Sequence, residues 1–383
     1  MRVGLFTYGV DGTRSTGIAQ YAMELTRALK ALHKGPEIIL LTPYKDSATS
    51  WYHDFETYPV PSLRLMPAAA TFGNMVLHRA ATDLALDILH DPCGIAPFLA
   101  APRRYRTVVT VHDAVPYLYP RTQPLLTNLV FQTLIRAARF SADAVLTVSR
   151  QSASDLVRYA GLPNRKVHPV PLASRFAAAA EPHSGDEHPT ALLRGLGVTG
   201  PYFLFVGTLH PRKNLERTLE AFVNVRRRRP DTSFVIVGPP YWGASNTLRT
   251  VLSRAGDGSG VVFTNFVSDS DLQTLYANAT ALVFASLYEG FGLPALEAMA
   301  LGAPVIASNS GSLPEVVGSA AVLVDPRSID SISDAMLRLL DDDRLAADYR
   351  RRGLDRAGEF SWRRTAERTL SVYEQVLNTN RGR

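Results

Sequence analysis

Ser286-Leu-Tyr-Glu-Gly-Phe-Gly-Leu-Pro-Ala-Leu-Glu-Ala-Met-Ala-Leu-Gly-Ala-Pro-Val-Ile-Ala-Ser308 is the stretch of this sequence that decides the fold. It follows the apolar run 281–285, which is typical of a buried strand. Two glycines then lead into a short apolar helix, which Gly302 ends and Pro304 prevents from continuing. A strand that turns directly into a helix indicates a βα unit of a parallel sheet.

The same stretch carries two carboxylates, Glu289 in the turn and Glu297 on the helix. A helix N-terminus preceded by glycine favours an anion, because its amides are unpaired and the helix dipole is positive there. Carboxylates cannot hold a phosphate, but they accept hydrogen bonds from hydroxyls. A ligand with a diphosphate between two polyols would suit the whole segment, and a nucleotide sugar has that chemistry.

The pattern Glu289-x7-Glu297, set in Tyr-Glu-Gly-Phe-Gly-Leu-Pro and Glu-Ala-Met-Ala-x-Gly-x-Pro-Val, resembles the signature of the retaining glycosyltransferases of family 4. That family, also called glycosyl transferases group 1, has the α/β GT-B fold, in which two Rossmann-like parallel-sheet domains face a central cleft. The resemblance is strong over residues 202–326 and weak in the first half of the chain. It implies that Glu289 contacts hydroxyls of the donor sugar and that Glu297 accepts hydrogen bonds from the ribose. The segment between them would bind the diphosphate through Gly290, Phe291, Gly292 and Leu293.

The length of 383 residues, with 46% apolar and 20% charged residues, predicts two globular domains. No run approaches the roughly 18 apolar residues that span a membrane, and the apolar run at the N-terminus is too short for a signal peptide. A single cysteine, Cys93, excludes an internal disulfide, so a cytoplasmic setting is expected. Its neighbours Pro92 and Gly94 favour a structural role in a loop.

Short β-branched runs alternate with helical patterns along both halves, as in βαβ units. We predict an N-terminal acceptor-side domain over 1–173, a linker with a variable loop over 174–200 and a donor domain over 201–358. The resemblance implies that a C-terminal helix, 359–383, crosses back to the first domain. Predicted strands are 3–8, 38–42, 88–90, 107–111, 144–148, 167–170, 202–206, 234–237, 261–263, 281–284, 305–307 and 322–324. Predicted helices include one beginning at Ile18 and others at 72–86, 123–140, 150–159 and 362–377.

The segment Gly207-Thr-Leu-His-Pro-Arg-Lys-Asn214 joins a predicted strand to a helix, which Asn214 is expected to cap. Two cations at the start of a helix are unfavourable, because the helix dipole is positive there. A diphosphate bound by Arg212 and Lys213 would explain their position. The alternative is an exposed basic turn. In the family, an arginine and a lysine of this loop bind the donor diphosphate. This chain has Thr208 where an arginine commonly follows the glycine.

Val-His112-Asp113 ends a predicted strand of the first half. Family members carry an active-site histidine here, which implies that His112 positions the transferred sugar. Asp113 could orient the ring, bind the acceptor or cap the next turn. The loop from Gly9 to Gly17 is neither the dinucleotide fingerprint nor a phosphate-binding P-loop, but the Gly17 amide could approach a donor phosphate, or the loop could be a structural turn.

Two further segments border the expected donor site. Ser310-Gly-Ser-Leu-Pro-Glu315 resembles a family element that lines it, and Phe266 and Val267 would border the nucleotide base. The acidic segments Asp269-Ser-Asp271 and Asp341-Asp-Asp343 match a metal-binding pattern, but helix capping explains both. We therefore expect no metal and no cofactor beyond the nucleotide-sugar substrate.

The net charge of +6 arises partly from three arginine runs, at 103–106, 226–229 and 350–352. They are read either as solvated helix ends or as a surface for anionic lipid head groups or a phosphorylated acceptor. Nucleic acid is not expected as a partner, because these runs belong to no nucleic-acid motif.

These expectations combine into a retaining, metal-independent glycosyltransferase that moves a sugar from a nucleoside diphosphate to an acceptor hydroxyl of a glycan, glycolipid or small molecule. The catalytic set would be His112, Glu289, Lys213 and Arg212, and the loop variant Pro-Arg-Lys-Asn suggests GDP-mannose as the donor. Cell-surface polysaccharide synthesis is the expected setting, in the cytoplasm or peripherally at the inner face of the membrane. A nucleotide-sugar isomerase or hydrolase of the same fold and a non-catalytic nucleotide-binding protein are the alternatives.

Overall fold

The computed structural model describes residues 1–10, 17–44, 50–64, 73–94, 103–122, 124–176, 187–239 and 260–379. The chain divides into two compact units. Unit 1 comprises Met1–Ala173 with Ser361–Arg383, and unit 2 comprises Ser174–Phe360. Each unit is an α/β structure with its own sheet and its own apolar core.

Unit 1 is built on a parallel sheet, and its described strands follow the spatial order β3-β2-β1-β4-β5-β6-β7. The strands are β1 (Arg2–Phe6), β2 (Glu37–Thr42), β3 (Glu56–Pro59), β4 (Ile88–Asp91), β5 (Arg106–Thr110), β6 (Ala144–Thr147) and β7 (Val167–Pro169). The helices are α1 (Gly17–Lys30), α2 (Gly73–Asp83), α3 (Val115–Leu118), α4 (Leu125–Ser141), α5 (Arg150–Ala160) and α13 (Trp362–Asn378). The strand order reverses between β1 and β4, as in doubly wound folds.

The C-terminal helix α13 is part of unit 1. It packs against α1, and its Tyr373 hydroxyl lies 2.6 Å from His90 Nδ1 on β4. The Thr365 hydroxyl donates to the Pro171 carbonyl at 2.8 Å. These contacts join the end of the chain to the core of the unit that its beginning forms.

Unit 2 repeats the architecture, and its described strands form a parallel sheet in the order β10-β9-β8-β11-β12-β13. The strands are β8 (Tyr202–Val206), β9 (Ser233–Val237), β10 (Val261–Asn265), β11 (Ala281–Phe284), β12 (Val305–Ser308) and β13 (Val322–Val324). The helices are α6 (Glu187–Gly195), α7 (Leu215–Arg228), α8 (Asp269–Asn278), α9 (Leu293–Ala300), α10 (Leu313–Val317), α11 (Ile329–Asp341) and α12 (Asp343–Ala357). Here the order reverses between β8 and β11, whose inner residues are fully buried.

Several elements were not predicted from the sequence, and the physical reason is clear for two of them. The edge strand β3 was not predicted, because Glu56-Thr-Tyr-Pro is mostly exposed and shows no apolar alternation. The stretch predicted as a linker with a variable loop, 174–200, contains the helix α6. Its short apolar pattern around Leu192 and Leu193 is too brief to stand out against the polar residues before it.

No helix in the part of the chain that the structure describes is long and apolar enough to cross a membrane.

Candidate functional site

The candidate site lies where the strand order of unit 2 reverses. Adjacent parallel strands β8 and β11 lead into different segments at their carboxyl ends: β8 into a 3₁₀ turn at Pro211–Lys213, and β11 into the turn before α9. Carboxyl ends of parallel strands meet at one edge, and the reversal leaves a crevice there. This topology brings Arg212 and Lys213 to Glu289, although they are more than seventy positions apart in the sequence.

Glu289 forms ion pairs with both cations. Its Oε2 lies 2.8 Å from Arg212 Nη1, and its Oε1 lies 2.7 Å from Lys213 Nζ. Burial disfavours ionisation of Glu289, but the Arg212 and Lys213 charges outweigh it and lower its pKa to about 2. The Lys213 ammonium also lies 4.5 Å from the centre of the Phe284 ring. Two cations and one carboxylate leave the cluster with a net charge of +1, which suits an anionic ligand.

Asn214 has a different role from the one expected. It stands before α7, but its side chain makes no capping bond and its φ is +61°. Instead, its amide donates to the carbonyls of Ala285 at 2.9 Å and Pro326 at 2.6 Å. The prediction of an N-cap side chain was therefore wrong. The buried amide connects the β8 loop to the end of β11 and so helps to position the cations beside Glu289.

The segment Gly290–Leu293 forms the entry to α9. Gly292 has a φ of +106°, and a Cβ there would lie 2.4 Å from Leu313 Cδ2, so both backbone angle and space favour glycine. The first backbone bonds within the helix are donated by Ala295 and Leu296 to the Gly292 carbonyl. Amides before Ala295 therefore have no acceptor within the helix and lie at its positive end.

The Ser310–Glu315 segment supports this turn from the neighbouring strand. The Ser312 hydroxyl lies 2.9 Å from the Glu289 carbonyl and 2.8 Å from the Phe291 carbonyl. Ser310 donates to the Leu287 carbonyl at 2.8 Å. These contacts fix the backbone on both sides of the Glu289 carboxylate.

Glu297 on α9 is also buried, and two side chains contact it. Arg175 Nε lies 3.1 Å from Oε1, and the Tyr276 hydroxyl lies 3.1 Å from Oε2. Arg175 also pairs with Asp269 at 2.8 Å and lies over the Phe176 ring. Burial raises the pKa of Glu297, although Arg175 and the Tyr276 hydroxyl lower it.

Sequence analysis missed both partners of Glu297. Arg175 lies near the start of the stretch predicted as a linker, and Tyr276 lies on the helix that follows the acidic segment Asp269–Asp271, where no residue had been assigned to the site. The one local signal is the pair Arg175-Phe176, where a cation stands beside an aromatic residue just before the polar tract.

The remaining predicted donor residues lie on several elements of the two units. Thr208 is exposed in the β8 loop, and its carbonyl accepts from the His210 amide at 2.7 Å. Phe266 follows β10 and is 73% exposed, and Val267 beside it is half-buried. Gly17 begins α1 in unit 1, and residues 11–16 of its loop lie outside the described residues.

His112 lies in unit 1, directly after β5. Its Nε2 is 2.9 Å from the Pro92 carbonyl, which requires a proton on that nitrogen and leaves Nδ1 as an acceptor when the ring is neutral. Burial lowers the pKa of His112, although the Pro92 contact and Asp113 raise it. The Tyr21 ring meets the imidazole edge-on at 4.9 Å. Asp113 accepts from the Val115 amide at 3.0 Å, as a residue that caps the next turn would.

The two acidic segments both lie at helix starts, but an acidic side chain provides the cap in only the second of them. Ser268 caps α8 through the Asp271 amide, Asp269 pairs with Arg175, and Asp342 caps α12 through the Leu345 amide. Within the described ranges, no group of three or more His, Cys, Asp or Glu side chains could hold a metal ion.

Comparisons with known proteins agree with this architecture. The model for glycosyl transferases group 1 matches residues 194–356, and the model for glycosyltransferase family 4 matches residues 15–173. The chain is 30% identical over 374 residues to O-antigen chain mannosyltransferase B of Escherichia coli, which covers 94% of this chain and 96% of the relative.

Solved structures show the same fold. Sucrose-phosphate synthase from Thermosynechococcus elongatus superposes with a TM-score of 0.78 at 20% identity, covering 99% of this chain and all of the other. Anabaena Alr3699/HepE in complex with UDP and glucose gives 0.75 at 16% identity, covering 98% of this chain and all of the other. Three findings agree: the alignment with a relative over nearly its whole length, the two family models and the two parallel sheets. The chain therefore belongs to glycosyltransferase family 4 and is a glycosyltransferase of the GT-B fold.

Proposed function

We propose that this glycosyltransferase moves a sugar from a nucleoside diphosphate to an acceptor hydroxyl with retention of the anomeric configuration. The observation that carries the proposal is the buried cluster of Arg212, Lys213 and Glu289 at the strand reversal of unit 2. Its net positive charge and the adjacent start of α9 suit a diphosphate. The carboxylate suits sugar hydroxyls.

The catalytic effect in this proposal is mainly electrostatic. As the bond to the sugar breaks, negative charge grows on the diphosphate, and cations fixed beside it stabilise the transition state more than the ground state. Arg212, Lys213 and the amides of Phe291, Gly292 and Leu293 would supply this stabilisation, so turnover would need no metal ion and no cofactor.

Other residues take supporting roles. Glu297 would accept hydrogen bonds from the ribose, with Thr208, Gly290, Phe266 and Val267 around the nucleotide and Gly17 near the phosphate. His112, in unit 1, would position the transferred sugar. Because no side chain of the set is an evident nucleophile, we propose attack from the leaving-group face, with a phosphate oxygen taking the acceptor proton.

The donor is proposed to be GDP-mannose and the acceptor a glycan or lipid-linked glycan of the cell surface. The relative from Escherichia coli is named as an O-antigen chain mannosyltransferase, and the Pro211-Arg-Lys-Asn214 variant of the cation loop agrees with such a donor. The setting would be the cytoplasm or the inner face of its membrane. The transferase name of this relative does not favour the isomerase or hydrolase alternative.

Thermal-shift measurements with UDP, GDP, ADP and their sugars test the donor, because a ligand raises stability by mass action. GDP and GDP-mannose should give the largest shifts, and Glu297→Ala should weaken binding of the nucleotide about tenfold to a hundredfold. Transfer of labelled mannose to a glycan acceptor, with the product linkage read by NMR, tests the reaction. Release of free mannose that does not depend on acceptor would contradict transfer, and unchanged nucleotide affinity in folded Glu297→Ala would remove Glu297 from the site.

A further inference from the structure

Helix α4 of unit 1 presents apolar side chains to solvent. Leu125 is 74% exposed, Leu126 is 75% exposed and Phe140 is 71% exposed, with Leu129 about half exposed between them. At 100° per residue these four side chains, with Arg136, fall on one side of the helix. The opposite side, with Ile135 and Ala138, packs in the core of unit 1. Isolated exposed leucines are common, but three leucines at one end of a helix with Phe140 on the same side at the other end indicate an interaction surface.

The charge on this surface has one sign. The sequence of α4, Leu125–Ser141, contains no aspartate or glutamate, and its exposed cations are Arg136 and Arg139. The Arg136 guanidinium lies 5.2 Å from the centre of the Tyr117 ring, and that of Arg139 lies 4.8 Å from the centre of the Phe140 ring. Arginines held over aromatic rings beside exposed leucines are the composition of helices that lie in a membrane interface.

The arginine runs that drew attention in the sequence are engaged differently. In each run at least one guanidinium binds a partner within its own unit. These runs are therefore less available to an external ligand than their sequence suggests. These contacts are Arg103 with Asp143, Arg226 with the Thr232 carbonyl, Arg229 with Asp341 and Arg350 with the Gly302 carbonyl. The surface of α4 differs from those runs because it has exposed leucines beside its cations.

We propose that the exposed stripe of α4, consisting of Leu125, Leu126, Leu129, Arg136, Arg139 and Phe140, docks on an anionic lipid bilayer. The leucines and Phe140 enter the boundary between head groups and acyl chains, and the arginines bind lipid phosphates. A second copy of the chain fits less well, because a two-fold interface sets the same patch against itself and would bring these arginines together without a carboxylate from α4. The inference deepens the membrane setting given under the proposed function by naming the surface that binds lipid, and its test does not depend on transfer activity.

Sedimentation with lipid vesicles measures this binding directly. The full-length protein should bind vesicles made of phosphatidylglycerol and phosphatidylcholine in equal parts more tightly than vesicles of phosphatidylcholine alone, and added salt should weaken the binding. The triple variant Leu125→Gln, Leu126→Gln, Leu129→Gln keeps good helix formers and should lower the partition coefficient about tenfold or more. The double variant Arg136→Glu, Arg139→Glu should lower it to a similar extent on anionic vesicles.

Matched controls alter similar side chains elsewhere. Leu323→Gln changes an exposed leucine of unit 2, and Arg363→Glu changes an exposed arginine on α13, and both should bind as the wild type does. Circular dichroism melting shows whether each variant is folded. The proposal is overturned if the wild type binds neither vesicle, if the folded triple variant binds as well as the controls, or if that variant instead converts a wild-type dimer to a monomer in sedimentation velocity.

Discussion

Replacing Arg175 with methionine should make the stability of this protein strongly dependent on pH. Methionine keeps an apolar side chain over the Phe176 ring but removes the cation that lies 3.1 Å from Glu297. Glu297 is 5% exposed, so the variant would leave a buried carboxylate. Of its two side-chain partners, Arg175 would be lost and the Tyr276 hydroxyl would remain. The pKa of Glu297, already raised by burial, should rise further.

The direction of the effect follows from proton binding. Because the folded-state pKa of Glu297 lies above its ordinary value of 4.5, the folded protein binds this proton more tightly than the unfolded chain does. The stability contributed by the protonated form is fully present below 4.5 and is lost as pH rises through the folded-state pKa. In the variant, that loss should be larger and should extend to higher pH.

The loss of unfolding free energy in Arg175→Met is limited by the cost of protonating Glu297. Breaking a buried ion pair costs about 3–5 kcal/mol when the remaining charge stays ionised. At about pH 5.5, roughly one unit above 4.5, the carboxyl can take up a proton for about 1.4 kcal/mol, so the loss should not greatly exceed that value. At about pH 8 protonation would cost more, and the loss should be about 3 kcal/mol or more. The exposed pair with Asp269 adds little.

Urea unfolding of wild type and Arg175→Met at the two pH values measures this difference. The double variant Arg175→Met, Glu297→Gln should lose the extra pH dependence, because the amide does not titrate. Arg363→Met, which breaks an exposed pair with Glu367, should change stability little at either pH. Equal losses for Arg175→Met at both pH values, or no loss at all, would refute the coupling between Arg175 and Glu297.

Three further predictions address the site. Lys213→Met should lower the single-turnover rate at saturating donor about a hundredfold, since it removes a fixed charge beside the leaving diphosphate. A normal rate combined with weaker donor affinity would show that Lys213 contributes to donor binding and not to the chemical step. Transfer should continue in excess EDTA, and activity that disappears and returns with manganese would contradict the metal-independent proposal. Gly292→Ala should destabilise the protein by about 1–3 kcal/mol more than Gly302→Ala, because a Cβ at 292 meets Leu313 whereas one at 302 meets nothing within 4 Å; equal unfolding midpoints would show that the turn adjusts.

Several features of this protein could be predicted from the sequence because they depend on neighbouring residues. Alternating apolar strands and helices predicted two α/β sheets, since each element must bury its own apolar residues. The helix after β11 begins and ends near the glycines that indicated it, and Gly292 and Gly302 both have positive φ. The family pattern is local as well, because Glu289 and Glu297 lie on one turn and its helix. Their roles in donor binding stay predictions.

Tertiary structure alone decided which side chains meet. Arg175 reaches Glu297 across 122 positions, and the Asn214 amide reaches the Pro326 carbonyl across 112, because strand order brings the ends of distant strands to one edge. No periodicity in the sequence records that order. Exposure was decided in the same way: Ile135 and Ala138 of α4 pack in the core of unit 1, whereas other apolar side chains of the same helix face solvent. Hydrophobicity requires that some surface be buried, but only the packing of all elements together determines which apolar residues are left facing solvent.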